Sequence, residues 1–257
     1  MLKEKRSPSQ PRRLGSHHRV PSLGPKGPIH LVPRWGSQRS GIMTKVKICG
    51  LTRIEDIQCA NRIKPDYIGM VFYPKSKRAV TAAQAAQLKA KLESGIDAVG
   101  VFVNGKIPFI VQLAQAGTID VIQLHGDEDE AYIEQLRQQV AHLGVPIIKA
   151  IRVQSEASLQ NLGQYPVDFF LFDTYKPGLY GGTGERFNLE LEQVKIPKPY
   201  FIAGGLDAGN VAQVVAENSQ AYAVDVSGGV EDGSTGLKSA AKMAAFVAEV
   251  RRANASV

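Results

Sequence analysis

The chain has 257 residues, 44% of them apolar, enough for a real core in one large domain or two small ones. No apolar run approaches the roughly 20 residues of a membrane helix, and two cysteines, Cys49 and Cys59, make no disulfide framework and fit a reduced, cytoplasmic setting. The formal charge of +7 invites a nucleic-acid partner, so where that charge sits decides what it means.

It sits at the beginning. Residues 1–43 hold nine Lys or Arg against one acid, Glu4, so the remainder carries a net charge of −1. No nucleic-acid binding is therefore expected of the remainder. The same 43 positions hold 17 Pro, Gly or Ser and show no apolar periodicity, which is the composition of a disordered, basic extension. Three readings of this tail stay open. It is translated from a start upstream of the true one, since Met43-Thr44 would open a compact domain; or it is an Arg-rich, acid-poor organelle-targeting segment; or it is a basic arm for a polyanion. It lacks the apolar core of a secretory signal. The expected division is a disordered extension at 1–43 and one folded domain at 44–257.

From Met43 onward, short runs rich in Val, Ile, Phe and Tyr read as buried parallel strands. In order they are "VKICG" (46–50), "DYIGMVFY" (66–73), "DAVGVFV" (97–103), "DVIQLHG" (120–126), "PIIKAIRV" (146–153), "DFFLFDT" (168–174), "YFIAGG" (200–205) and "AYAVDVSGG" (221–229). Helical segments lie between them. "TAAQAAQLKAKL" is built of strong helix formers; Ile133, Leu136 and Val140 recur at helical spacing, as do Met243, Phe246, Val247 and Val250. Asn210 is placed to cap a helix carrying Val211, Val214 and Val215, and "NLELEQV" is the weakest helical signal. Eight strand–helix units joined by right-handed crossovers predict a single (β/α)8 TIM barrel. The alternative, a doubly wound open sheet, would need to absorb eight successive units without a G-x-G-x-x-G at its first turn.

In a barrel, residues at the C-terminal ends of the strands face the active site. That rule selects Cys49, Arg78 in the loop after the second strand, Gln123, His125, Asp173, the pair Gly204-Gly205, and Asp225 followed by Ser227-Gly228-Gly229. The two glycine clusters end the seventh and eighth strands, where backbone N–H groups can close on a phosphate; the competing reading is a pair of tight turns. Asp173 closes the apolar run "FFLFD", so partial desolvation would suit it to donate a proton, although an Asp there can also serve as a helix cap. Cys49 is either a buried space-filler or, with a cation or amide dipole to lower its pKa, a thiolate base. Cys59 lies inside the first helix and is assigned to packing. Arg78 has the planar fork that fits a carboxylate, or is one more solvated charge beside Lys75 and Lys77. His125 alone among the histidines is well placed, so no metal site is expected.

Taken together, "VKICGLTRIEDI", "GMVFYPKSKRAV", "VIQLHGDE", "LFDTYKPGLYGGTGERFN", "FIAGGLDAGNV" and "YAVDVSGGVE" resemble the phosphoribosylanthranilate isomerase family, from about residue 45 to the C-terminus. The resemblance implies an enzyme of tryptophan biosynthesis. It would convert a small-molecule phosphoribosyl substrate, N-(5-phosphoribosyl)anthranilate, to the carboxyphenylamino-deoxyribulose phosphate by an Amadori rearrangement, with no cofactor. The resemblance implies that Cys49 is the general base, Asp173 the general acid and Arg78 the grip on the anthranilate carboxylate. Two positions depart from the family pattern: Gly228 stands where "VDVSSGVE" has a second serine, and Ser239 where "G-x-K-D" has an acid. The rival readings are another phosphosugar isomerase or synthase on the same barrel, and a polyanion-binding protein acting through its tail. Either a monomer or a homodimer would suit a barrel of this size.

Overall fold

The computed structural model describes residues 43–173 and 195–256, apart from the side chain of Glu156. The expected tail and the "NLELEQV" helix lie outside those residues. Eight parallel strands pair each with the next and the eighth with the first, closing a barrel. They are β1 (Lys45–Cys49), β2 (Tyr67–Val71), β3 (Asp97–Phe102), β4 (Val121–Leu124), β5 (Ile147–Arg152), β6 (Phe169–Asp173), β7 (Tyr200–Ala203) and β8 (Ala223–Val226). All eight fall on the runs picked out in the sequence, seven of them trimmed by one to five residues and β1 shifted by one toward the N-terminus. Among the described residues, six α-helices lie in the outer layer: α1 (Ile54–Ile63), α2 (Ala82–Lys91), α3 (Ile107–Gln115), α4 (Glu130–Val140), α5 (Val211–Glu217) and α6 (Ala240–Asn254). Among the described residues, no helix is long and apolar enough to cross a membrane.

The strands read as near-continuous apolar runs because both of their faces are buried. Val46 and Ile48 of β1 pack outward in the large core that the helices share, while Cys49 faces inward with Val101, Ala150, Leu171 and Ala203. The N-terminal end of the barrel is filled by an aromatic cluster. Phe201 packs against Tyr67, Phe169 and Tyr222, the Tyr67 and Tyr222 hydroxyls meet at 2.9 Å, and the Lys45 ammonium stands 5.1 Å from the Tyr222 ring centre. This end is a packed floor. The C-terminal end is where polar side chains gather.

Local chemistry starts the helices where the sequence allows it. Thr81 and Gln84 exchange the two bonds of a capping box on α2, and Asp129 accepts from the Tyr132 N–H to cap α4. Ser239 accepts from the Lys242 N–H at 3.4 Å, so the departure from an acid there still leaves α6 with a cap, though a long one. Thr44 and Asn254 exchange two hydrogen bonds, tying the start of β1 to the end of α6.

Two expectations need correction. No α-helix follows β5; the connection is two 3-10 turns, Glu156–Leu159 and Leu162–Gln164. Asn161 at φ 60, Gly163 and Pro166 within six residues explain why helix cannot propagate there. Asn210 occupies the N-cap position of α5 but does not cap it. Its side chain turns back, accepting from the Asp207 N–H and donating to the Gly205 carbonyl, and so braces the loop after β7.

Candidate active site

Strand β1 sends Lys45, Lys47 and Cys49 into the barrel at successive depths, with Cys49 uppermost. Cys49 is 8% exposed and Lys47 has no exposure at all. A buried ammonium needs a counter-charge, and β8, the neighbour of β1, supplies it. Lys47 Nζ lies 2.9 Å from Asp225 Oδ1. Burial works against the Lys47 charge, but Asp225 and the Cys49 sulfur outweigh it and raise the ammonium above its ordinary value. For Cys49 the balance falls the other way. Burial pushes the thiol up, Lys47 and Lys238 pull it down, and Asp225 adds to the rise, so the net shift is upward. The cation that the sequence reading asked for is therefore present, yet burial outweighs it.

Across the mouth, β4 and β6 bring together Gln123, His125 and Asp173. Gln123 Nε2 is 2.9 Å from His125 Nδ1, and His125 Nε2 is 3.5 Å from Asp173 Oδ2. With the amide nitrogen toward Nδ1, the ring carries its proton on Nε2, facing the carboxylate. At 3.5 Å that is an electrostatic contact, longer than a good hydrogen bond. Asp173 is half-buried. Asp225 links the two halves of the site: besides Lys47, the charges of His125 and Asp173 act on it.

The loop that carries His125 is held from outside the barrel. Glu128 accepts from the Asn104 and Gly126 N–H groups and pairs with the buried Lys149 at 2.8 Å, and Lys149 also donates to the Gly126 carbonyl at 2.7 Å. Beside it lies a cavity of about 270 Å³, lined among others by His125, Lys149, Arg152 and Tyr165.

Arg78 is not a solvated surface charge. Its Nε and Nη2 donate to the two oxygens of Glu231 at 2.6 and 2.9 Å, a fork-to-fork pair that leaves the Nη1–Nη2 edge for a second carboxylate. Glu231 also accepts from the Gly236 N–H at 2.9 Å and from Lys238 at 3.1 Å. Burial favours its neutral form, but Arg78, Gly236 and Lys238 outweigh that and hold the carboxyl at about 2. Lys238 in turn donates to the Ser227 carbonyl, and the Ser227 hydroxyl donates to the Cys49 carbonyl at 3.1 Å. Arg78, the loop after β8 and the end of β1 are thus one hydrogen-bonded unit.

Gly204 and Gly205 follow β7, and Ser227 and Gly228 follow β8, on adjacent strands as the phosphate reading requires. Both Gly204 and Gly205 have positive φ, 102° and 64°, so the chain turns there through a conformation other residues resist. Gly205 and Gly228 are exposed.

Every residue selected from the strand ends therefore lies in the mouth or the loops around it. Cys59, assigned to packing, is buried in α1. The sequence reading missed Lys47, Lys238, Glu231 and the Glu128–Lys149 pair. One signal for Lys47 was available: a lysine between apolar residues in a strand buried on both faces must meet an acid inside, and "AVDV" offers one.

Comparison with known proteins points the same way. The family model for N-(5'-phosphoribosyl)anthranilate isomerase matches residues 46–249. A protein of that name from Caldanaerobacter subterraneus subsp. tengcongensis is 42% identical over 210 residues, covering 81% of this chain and 98% of its own length. The crystal structure of phosphoribosyl anthranilate isomerase from Thermotoga maritima superposes with a TM-score of 0.70 at 32% identity, over 82% of this chain and all of that one. Another structure of such an isomerase, bound to reduced 1-(o-carboxyphenylamino)-1-deoxyribulose 5-phosphate, gives 0.69 at 29% identity, with 82% and 100% covered.

Proposed function

This chain belongs to the N-(5'-phosphoribosyl)anthranilate isomerase family, and on that premise we propose that Cys49 and Asp173 act as base and acid on one bound phosphoribosyl substrate. The reaction is an Amadori rearrangement, in which an aminoaldose becomes an aminoketose with no net change in oxidation state. Asp173 gives its proton to the ribose ring oxygen, and the C1–O bond breaks as the anthranilate nitrogen forms an iminium. That cation acidifies the hydrogen on C2. Cys49, as the thiolate, removes it; the electron pair moves into C1–C2, and the resulting enolamine relaxes to the ketone. The substrate nitrogen supplies the electron pair that expels the ring oxygen and then, as the iminium, is the electron sink for removal of the C2 proton.

Binding energy from the two ends of the substrate orients the sugar between the two groups. Arg78, braced by Glu231, holds the anthranilate carboxylate through its remaining edge. Gly204, Gly205, Ser227 and Gly228 present the phosphate with the loops after β7 and β8. His125, steadied by Gln123, faces Asp173 with its Nε2 proton and stabilises the carboxylate that remains after proton donation. We assign all of these roles to the domain expected at 44–257, and its two free, buried cysteines fit a reducing cytoplasm.

One observation carries the assignment. Cys49 ends β1 and Asp173 ends β6 at the same C-terminal mouth of the closed barrel, where His125 Nε2 lies 3.5 Å from Asp173 Oδ2 and Lys47 Nζ lies 2.9 Å from Asp225 Oδ1. The test is to make Cys49→Ser and Asp173→Asn. Each should lower kcat by about a hundredfold or more while leaving the affinity for a reduced, unreactive product analogue within a few-fold. Normal turnover in either variant ends the acid–base assignment. Growth of a tryptophan auxotroph lacking this isomerase, restored by the chain, tests the reaction itself.

A further inference from the structure

The acid–base scheme uses Cys49 and leaves the least exposed charge in the barrel unexplained. Lys47 is wholly buried, in an interior otherwise filled by residues such as Val99, Val121, Ile148 and Leu171. As a strut, a buried ammonium–carboxylate pair is a poor choice, because apolar side chains of similar volume usually stabilise a core as well or better. Its position suggests another task. Lys47 and Cys49 are two residues apart on the inward face of β1, so the ammonium lies one layer below the sulfur. Asp225 Oδ1 receives one of its three protons at 2.9 Å. The sulfur feels Lys47 more than any other charge around it. Among the described residues, the other titratable or charged groups facing this part of the barrel are Lys45 below on β1, Lys238 and Glu231 from the loop after β8, Arg78 from the loop after β2, His125 just after β4 and Asp173 at the end of β6.

We propose that the Lys47–Asp225 pair is a positioning element of the reaction: Lys47 holds a positive charge beneath the sulfur for the moment it is an anion, and Asp225 fixes that ammonium and limits how much of its charge the sulfur feels. A sulfur anion in a site this buried needs a partner, and the pair supplies one without a mobile ion. Burial favours the protonated sulfur at rest, and Asp225 adds to that by opposing the charge of Lys47. The inference rests on the reading of Cys49 as the base.

The two halves of the pair act in opposite directions, and that is what the experiment reads. Thiolate absorbance in the ultraviolet is followed against pH for the full chain, with the Cys49→Ser protein subtracted so that Cys59 and the tyrosines cancel. Lys47→Met should raise the Cys49 midpoint by about one pH unit or more, and Asp225→Asn should lower it by a similar amount. The acid limb of kcat/KM should move with each midpoint, and Lys47→Arg should restore the parent value to within a few tenths of a unit. A barrel strut would give no such pair of opposite shifts. Midpoints that stay put, or that move in the same direction, overturn the proposal. If Lys47→Met fails to fold, Asp225→Asn and Lys47→Arg still decide it: a midpoint that does not fall in the first, or is lost in the second, refutes the role. Failure of the underlying reading looks different, since Cys49→Ser would then turn over normally whatever the midpoints do.

Discussion

The Arg78 side chain crosses the backbone of Gly50, so closely that a Cβ at Gly50 would stand 2.6 Å from Arg78 Cδ. Gly50 also turns the chain at φ 81, directly after Cys49. One residue thus ends β1 and leaves room for the Arg78 side chain. Gly50→Ala should lose more than about 1 kcal/mol of stability from the left-handed backbone alone. The displaced arginine should raise KM about tenfold, the cost of one charge-assisted contact. Denaturant unfolding and steady-state kinetics measure the two effects separately; an unchanged KM would detach Arg78 from the substrate.

Removal of residues 1–42, so that the chain starts at Met43, should leave kcat and KM unchanged. The family match begins at residue 46, and the Thr44–Asn254 clip closes the fold just upstream of β1. Retention on a polyanion column should be lost with the tail, because the rest of the chain carries a net charge of −1. A drop in turnover would assign the tail to the enzyme.

The barrel was legible because parallel strands buried on both faces leave unbroken apolar runs, as "DFFLFDT" does for β6. Cys49, His125 and Asp173 were legible because the strand-end rule needs only local pattern. Lys47, Glu231 and Lys238 were not, for a physical reason. The place of Lys47 between apolar residues signalled burial, but naming partners takes pairings across the fold: Asp225 lies 178 residues from Lys47, and Arg78 lies 153 from Glu231. The connection after β5 failed differently: the eightfold strand–helix pattern led to a helix there, but Asn161, Gly163 and Pro166 leave only two 3-10 turns.

The loop after β8 holds two adjacent glycines with opposite tolerance. A Cβ at Gly229 would meet the Leu206 carbonyl oxygen at 1.9 Å, backbone against backbone, whereas the nearest atom to one at Gly228 is Arg78 Nη2 at 3.8 Å. Gly229→Ala should force the loops after β7 and β8 apart, costing about 1–3 kcal/mol or more and weakening inorganic phosphate as a competitive inhibitor. Gly228→Ser, which restores the serine of the family pattern, should stay within about 0.5 kcal/mol of the parent. Equal effects at the two positions would mean that the loops do not touch where the structure brings them together.

Glu231 gathers Arg78 and Lys238 on one carboxylate. It is 9% exposed and accepts from Arg78, Lys238 and the Gly236 N–H, which hold its folded-state pKa at about 2 against an ordinary 4.5. A depressed carboxyl stabilises the fold fully above its unfolded value and loses that contribution as pH falls from 4.5 toward 2. The contribution is on the order of 3 kcal/mol. Glu231→Gln should therefore be less stable at neutral pH, and the difference from the parent should shrink across that acidic window. In kinetics the same variant should raise KM with little change in kcat, because Arg78 loses the partner that aims it while Cys49 and Asp173 are untouched. A stability difference that persists unchanged at low pH would show that Glu231 acts by packing; a fall in kcat at constant KM would move it from holding the substrate to the proton transfers themselves.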